Sequence, residues 1–177
     1  MAGYGFLGLA SIMGLLNVVL YAVLSPSNKS RLEEVIAQVT NVNHLTLIVG
    51  LYFMTAGVFL GGVWANESWG RYWGWDPKET WALITVLVYA FVTHMHRIPG
   101  LRGKFAYNLA SFISYSSVMM TYFGVNYFLG GMHSYASGSS FKIPLWSYVI
   151  ILLLVVLSLF AYRKQQKLLP ENSSMDE

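Results

Sequence analysis

Long uncharged apolar stretches constrain this fold more than any other feature of the sequence. Residues 4–24 and residues 45–65 contain no Asp, Glu, Lys or Arg. A helix of about 20 apolar residues crosses the hydrocarbon core of a bilayer. Because water is absent there, the backbone must satisfy its own hydrogen bonds, as a helix does. These stretches therefore predict an all-α fold, a polytopic bundle of membrane helices.

The rest of the chain divides into further spans and polar connections. Three more candidate spans bring the total to about five transmembrane helices in one membrane domain: residues 77–97, 105–129 and 143–162. Residues 25–43 predict a polar loop with room for a short amphipathic helix, residues 130–142 a glycine- and serine-rich loop, and residues 163–177 a cytoplasmic tail. Gly57 and Gly61 form a GxxxG pattern, which favours close packing against another helix.

Positive charge is distributed unevenly across the predicted connections. Cytoplasmic loops of membrane proteins carry an excess of Lys and Arg. Eight of the 11 Lys and Arg residues fall on one predicted side: Lys29, Arg31, Arg97, Arg102, Lys104, Arg163, Lys164 and Lys167. That side is therefore expected to be cytoplasmic or stromal. Residues 64–81 and 130–142 should then lie together on the outer or lumenal face of a bacterial cytoplasmic membrane or a thylakoid membrane.

Composition excludes several classes of function. The chain has no cysteine, so disulfides, thiolate nucleophiles and cysteine-ligated metals are excluded, and any bound iron needs His, Met, Tyr or a carboxylate. No basic run suits a nucleic-acid backbone. The sequence has neither a glycine-rich phosphate loop nor an HExxH-type metal motif.

Five of the six tryptophans lie in residues 64–81, WANESWGRYWGWDPKETW. Indoles offer large rigid faces and an N–H donor, and Gly70 and Gly74 remove side-chain bulk so that a ligand or backbone can come close. Arg71 and Lys78 are placed to neutralise carboxylates. The pattern favours a flat, apolar, partly anionic ligand such as haem. The alternative is an interfacial tryptophan belt, which is common at membrane surfaces.

Asp76 has a local interpretation that competes with a role in the site. Asp-Pro-Lys-Glu is typical of a helix start, with Asp76 as N-cap, Pro77 as the first helical residue and Glu79 closing a capping box. We therefore expect Asp76 to cap the third span, and such a cap also fixes a neighbouring ligand site.

Histidines in or beside membrane spans tend to be functional. His133 is expected on the same face as the tryptophan segment and could ligate haem iron, although a loop histidine bonded to backbone is an equal alternative. His94 lies near the cytoplasmic end of the third span. His96 points to a different helix face, so a joint metal site with His94 is not expected. His44 is interpreted as a polar helix start.

Two sequence blocks resemble CcsA-type (ResC-type) cytochrome c biogenesis proteins, part of a wider family of haem-handling proteins with a tryptophan-rich external segment. The first block is GGVWANE followed by WGRYWGWDPKETW, at residues 61–67 and 69–81. The second is TYFGVNY followed by HSYA, at residues 121–127 and 133–136. The resemblance covers most of residues 4–136.

The resemblance implies a function and a set of site residues. Such proteins move haem b, as a substrate, from the cytoplasmic side to the outer face, where two thioether bonds attach it to apocytochrome c. A membrane partner of CcsB/ResB type is implied, and the chain would be part of a cytochrome c synthase. His133 matches the family's external axial ligand and His94 its membrane-embedded histidine. The residues that match the haem platform are Trp64, Trp69, Trp73, Trp75 and Asp76.

One departure from the family pattern leaves alternatives open. The family's second external histidine, at the outer end of the helix corresponding to residues 4–24, and its second membrane histidine have no counterpart here. Either the sequence is the C-terminal part of a longer protein or another chain supplies those ligands. Besides the synthase hypothesis, the chain could export haem and leave attachment to a partner, or be an assembly subunit that binds no haem.

Overall fold

The protein is a bundle of packed helices. A computed structural model describes residues 2–129 and 144–169, and every regular element in this part of the chain is helical. In order, the elements are α1 (Ala2–Val23), α2 (Lys29–Trp69), α3 (Pro77–His94), a 3₁₀ turn (Met95–Arg97), α4 (Lys104–Met119), a π-helical turn (Met120–Gly124), α5 (Val125–Phe128) and α6 (Leu145–Leu168). The predicted all-α fold is confirmed.

The helix α1 is the centre of the bundle, because it contacts α2, α4 and α6. Two glycines bring the backbones together. A Cβ at Gly14 would lie 2.5 Å from the carbonyl oxygen of Asn108 in α4, and one at Gly50 in α2 would lie 2.8 Å from Cδ2 of Leu7. Gly14 requires glycine because the atom it faces is backbone, whereas a side chain at Gly50 would first have to displace the side chain of Leu7.

A network of buried polar side chains joins α1, α2 and α4. Asn43 Nδ2 donates to Asn108 Oδ1 at 3.0 Å, and Asn108 Nδ2 donates to Thr40 Oγ1 at 2.8 Å. Asn17 Nδ2 also donates to Thr40 Oγ1, and Ser111 Oγ donates to Asn43 Oδ1. Interhelical hydrogen bonds of this kind are worth about 1 kcal/mol each inside a membrane bundle. The network fixes the register of the three helices.

The helix α2 is longer than the sequence pattern predicts. It has 41 residues, which is about 60 Å at 1.5 Å per residue and about twice the hydrocarbon thickness of a bilayer. The loop expected over residues 25–43 ends at Asn28, because Ile36 is buried against α1 and the polar Asn43 bonds inside the bundle instead of facing water. At its other end α2 extends to Trp69, so Trp64 is helical too.

The other helices follow the predicted spans more closely. The helix α3 and the 3₁₀ turn cover residues 77–97, α4 to α5 cover 104–128, and α6 continues six residues beyond 162. Three helices of the described chain, α1, α2 and α6, are long and apolar enough to cross a membrane. The helix α3 starts with two charged side chains, and α4 is 16 residues long before the π turn. An integral membrane bundle is supported, while the count of five crossings and the sidedness remain predictions.

Candidate functional site

A groove of about 310 Å³ lies between the last turns of α2 and the first turns of α3. Gly57, Gly61 and Ala65 recur every four residues along its α2 wall, so they share one helix face. No atom outside their own helix turn lies within 4 Å of where a Cβ would stand on Gly57 or Gly61. The predicted GxxxG packing site is therefore not used by another helix in the described residues. It forms a flat floor for the groove.

The predicted tryptophans form two edge-to-face pairs, and one member of each pair lines the groove. Trp64 packs on Trp69 with ring centroids 5.1 Å apart and planes at 81°. Trp73 packs on Trp75 at 5.8 Å and 86°. Tyr72 completes the aromatic rim. Edge-to-face packing holds large side chains in place while leaving faces open, so Trp69 and Trp75 position the two indoles that face the groove.

Trp75 has a strained backbone that Glu79 supports. Its φ of 55° lies in the left-handed region, which is unfavourable for a bulky residue and points to function when it is found. The Glu79 carboxylate accepts from the amide of Gly74 at 2.8 Å and from the amide of Asp76 at 3.3 Å. These two amides flank Trp75. A single carboxylate therefore fixes the turn that presents the indole.

Asp76 is the N-cap of α3, as the sequence predicts. Its carboxylate accepts from the amide of Lys78 at 3.0 Å. In return, the Glu79 carboxylate accepts from the backbone amide of Asp76, which completes a capping box with Pro77 in the first turn. Asp76 is buried and does not line the groove. Its contribution to the site is indirect, since it fixes where α3 begins.

The two glycines of the tryptophan segment have different roles. Gly70 ends α2 in the left-handed conformation, with φ 69° and its amide bonded to Asn66 O. Nothing approaches its Cβ position, whereas a Cβ on Gly74 would lie 2.6 Å from Cζ of Arg71. The close neighbour at Gly74 is therefore the Arg71 guanidinium, which lies across the turn. A second cation of this segment, Lys78, lines the groove.

A contact from the π-helical turn that follows α4 holds Trp81, in the second turn of α3. The carbonyl oxygen of Trp81 accepts from Thr121 Oγ1 at 3.1 Å and from Thr85 Oγ1 at 2.9 Å. Thr121 lies in the π-helical turn, a distortion that is frequent at functional sites. The second sequence block is thereby joined to the first through this contact.

The histidines lie away from the groove or outside the described residues. His94 is the last residue of α3, about 18 Å along the helix from Ala82, the groove-lining residue nearest to it in α3, at 1.5 Å per residue. Its Nδ1 lies 2.7 Å from Ala90 O. Because a carbonyl only accepts, Nδ1 donates this bond, and in the neutral imidazole the lone pair is then on Nε2, the arrangement that suits a metal ligand. His94 therefore does not line the groove that the tryptophans line. His133 lies in residues 130–143, outside the described part of the chain.

Comparison with known proteins identifies the family. The model of the cytochrome C assembly protein family matches residues 1–133. The chain belongs to this family. The predicted resemblance to CcsA-type cytochrome c biogenesis proteins is confirmed at this level.

Individual relatives agree with the family assignment. The chain is 45% identical over 137 residues to the protein NrfI of Wolinella succinogenes, which is 77% of this chain and 15% of that protein. It is 46% identical over 107 residues to the cytochrome c biogenesis protein CcsA of Heterosigma akashiwo, covering 60% and 33% of the two chains. It is 39% identical over 136 residues to CcsA of Atropa belladonna, covering 77% of this chain and 43% of that protein. The chain thus spans less than half the length of each of these relatives.

The structure adds residues that the sequence analysis did not assign to the site. Gly57, Gly61 and Gly62 form part of the groove, and Tyr72 and Glu79 stand at its rim. The sequence signal for the floor is the four-residue spacing of Gly57, Gly61 and Ala65. These small residues share one helix face, which extends as far as the first tryptophan, Trp64. Glu79 was recognised only as a capping residue, and no sequence signal indicates its second bond to Gly74.

Proposed function

We propose that this chain forms the haem-presenting part of a cytochrome c synthase. In this proposal it receives haem b from the cytoplasmic side, holds it on the outer or lumenal face, and exposes its vinyl groups to apocytochrome c. A membrane partner of CcsB/ResB type would complete the assembly. The observation that carries the proposal is the groove between α2 and α3, with its glycine floor and tryptophan rim.

The chemistry of the groove suits a porphyrin. The small residues of α2 provide a flat apolar surface, and Trp64 and Trp73 provide aromatic faces beside it. Lys78 lines the groove, and the Arg71 guanidinium lies against Gly74 in the same tryptophan segment. In this proposal these two cations neutralise the carboxylates of the bound haem. The iron ligand in this proposal is His133, for which the charge distribution predicts the same face. None of the groove-lining residues in the described chain is a histidine.

The mechanism is mainly one of positioning. Holding one reactant at a fixed site removes much of the entropic barrier to a two-component reaction. The rigid elements that do this are the capping box at Asp76, the Glu79-supported turn and the Thr121 contact. The bound haem supplies the electrophilic vinyl groups, and the apocytochrome supplies the thiols. No side chain of this chain needs to form a covalent intermediate.

His94 fits a separate, earlier position of the haem. It lies about 18 Å along α3 from the groove, it is exposed, and in the neutral ring the Nε2 lone pair is not used by the bond to Ala90. In this proposal haem contacts His94 before it reaches the tryptophan segment.

The test is an absorption spectrum of the detergent-purified chain, co-expressed with its partner, for wild type and His133→Gly with and without imidazole. We expect the Soret band to weaken in the variant and to return with imidazole, because imidazole replaces the missing axial ligand. Cytochrome c maturation should follow the same pattern. An unchanged Soret band in the variant would show that His133 does not ligate the iron.

The exporter hypothesis makes a different prediction. If the chain only exports haem, His94→Ala removes haem from the outer face, while Trp73→Ala leaves both export and maturation intact. If the chain also presents haem for attachment, Trp73→Ala lowers the amount of matured cytochrome c. Measuring outer-face haem and matured cytochrome c in the same two variants separates the hypotheses. A wild-type protein without a Soret band would favour the assembly subunit.

A further inference from the structure

A second cavity, which we call the histidine pocket, lies at the opposite end of α3 from the groove. Its volume is about 460 Å³, and its walls come from α2, the 3₁₀ turn, the following loop and α4. His44, His96, Arg102, Lys104 and Tyr107 line it. The length of α3 separates it from the tryptophans by about 25 Å, so it is a distinct site.

The two histidines of this pocket are held in a fixed arrangement. Their ring centroids are 6.1 Å apart with perpendicular planes. His44 Nδ1 lies 3.2 Å from the Tyr107 hydroxyl. His96 Nδ1 lies 3.0 Å from Thr93 O, so it donates to that carbonyl and leaves the lone pair on Nε2. The sequence analysis interpreted His44 as a helix start only, and the structure brings it to His96.

The electrostatics of the pocket favour an anion. Arg102 and Lys104 are basic side chains, and among the lining residues of the described chain none is acidic. A guanidinium binds phosphate or carboxylate through two parallel hydrogen bonds, and an ammonium adds a point charge. The tyrosine hydroxyl and the imidazoles offer further polar contacts.

The remaining walls favour an apolar body on the ligand. Leu45, which is 64% exposed, and Leu101 line the pocket beside the cations. A soluble anion such as phosphate gains nothing from these leucines, whereas an amphiphile covers them. The charge distribution predicts that this end of the bundle lies at the cytoplasmic membrane surface, where basic pockets between membrane helices bind anionic head groups.

We propose that the histidine pocket binds the anionic end of an amphiphile, with Arg102 and Lys104 as the main contacts to its phosphate or carboxylate. An acidic phospholipid of the membrane and haem itself, through its propionates, share this chemistry. The haem source rests on the proposed function, because the pocket would then load haem before His94 and the groove. The phospholipid source is independent of that function.

The experiment measures binding of four probes to the full chain in a neutral detergent, by isothermal titration calorimetry. The probes are dioctanoyl phosphatidylglycerol, its zwitterionic match dioctanoyl phosphatidylcholine, ferric haem and haem dimethyl ester. The variant is R102Q/K104Q. The matched control is K29Q/R31Q, which removes two charges from the same predicted face outside the pocket. Haem titrations are repeated in Gly61→Leu, which fills the groove and leaves the histidine pocket unchanged.

The proposal predicts that R102Q/K104Q binds at least one of the two anionic probes about 10- to 30-fold more weakly than wild type, as expected for two basic residues at about three- to fivefold each. The control should bind like wild type. A loss for phosphatidylglycerol alone identifies a lipid site. A loss for haem but not for its ester identifies a propionate site. Equal affinities of the variant, the control and wild type for both anions would overturn the proposal.

The same titrations keep the two sites separate. Loss of haem binding in Gly61→Leu reports on the groove, and loss in R102Q/K104Q reports on the histidine pocket. If haem does not bind the groove at all, the proposed function fails while the phospholipid result still decides the pocket. Unchanged thermal unfolding of R102Q/K104Q would show that weaker binding does not result from a damaged fold.

Discussion

Replacing Glu79 with alanine should release the turn that presents Trp75. In the native protein the carboxylate accepts from the amides of Gly74 and Asp76, at 2.8 and 3.3 Å. A hydrogen bond to a charged group contributes about 1.5–3 kcal/mol. Because Glu79 is half-exposed, its two bonds together are expected to contribute about 2–3 kcal/mol. The left-handed conformation of Trp75 costs about 1–3 kcal/mol. Without the carboxylate, these two hydrogen bonds no longer offset that strain.

Hydrogen exchange measures this effect directly, because an amide exchanges when its local structure opens. A loss of about 2–3 kcal/mol in local stability corresponds to a 30- to 150-fold faster exchange at Gly74 and Asp76. Glu79→Gln keeps one oxygen acceptor and should lie between alanine and wild type. The matched control is Glu67→Ala, which removes an exposed carboxylate from the end of α2.

The same variants connect the turn to the proposed haem site. If the Glu79-supported turn positions Trp73 and Trp75, Glu79→Ala weakens haem binding as well as amide protection, while Glu67→Ala changes neither. Exchange at Gly74 and Asp76 that is as slow in Glu79→Ala as in wild type would refute the reasoning, since the turn would then hold its strained conformation without the carboxylate.

Three further substitutions test the fold and the cap. Gly14→Ala places a Cβ 2.5 Å from Asn108 O and should destabilise the bundle by about 1–3 kcal/mol. Gly5→Ala is the control, because no atom lies within 4 Å of its Cβ position, and it should leave stability unchanged. Equal unfolding midpoints of the two variants in detergent would contradict this. Asp76→Ala should cost about 1 kcal/mol through loss of the cap, and Asp76→Ser should recover most of it in the same unfolding assay. Asn108→Ala breaks three hydrogen bonds, one of them fully buried, and should cost about 1–3 kcal/mol; wild-type stability would argue that the network contributes only to register.

Local signals in the sequence predict much of the fold. Pro77 and its neighbours define the start of α3 because capping depends on side chains within one turn, and the capping box confirms this. The start of α2 is not predictable in the same way. Asn43 suggests a polar loop in the sequence, but it is satisfied by Asn108, a residue 65 positions away. Partners this far apart are not visible in a local pattern.

The candidate site shows the same division. Tryptophan density and glycine content predict a ligand surface, and Trp64 and Trp73 do line a groove. The role of Gly61 was predicted as helix packing, because a GxxxG pattern does not reveal whether its face meets a helix or remains open. The left-handed Trp75 depends on a carboxylate four residues along the chain whose rotamer no pattern indicates.

The most direct test of the central claim compares Gly61→Leu with Gly5→Leu, two glycines with no atom near the Cβ position. A leucine at Gly61 fills the groove floor, while one at Gly5 lies on α1, away from it. The measurement is the Soret absorbance per protein of each purified variant co-expressed with the partner. The account predicts that Gly61→Leu loses most of its bound haem while Gly5→Leu keeps the wild-type amount. Equal haem content in the two variants would contradict the assignment of the groove as the haem site.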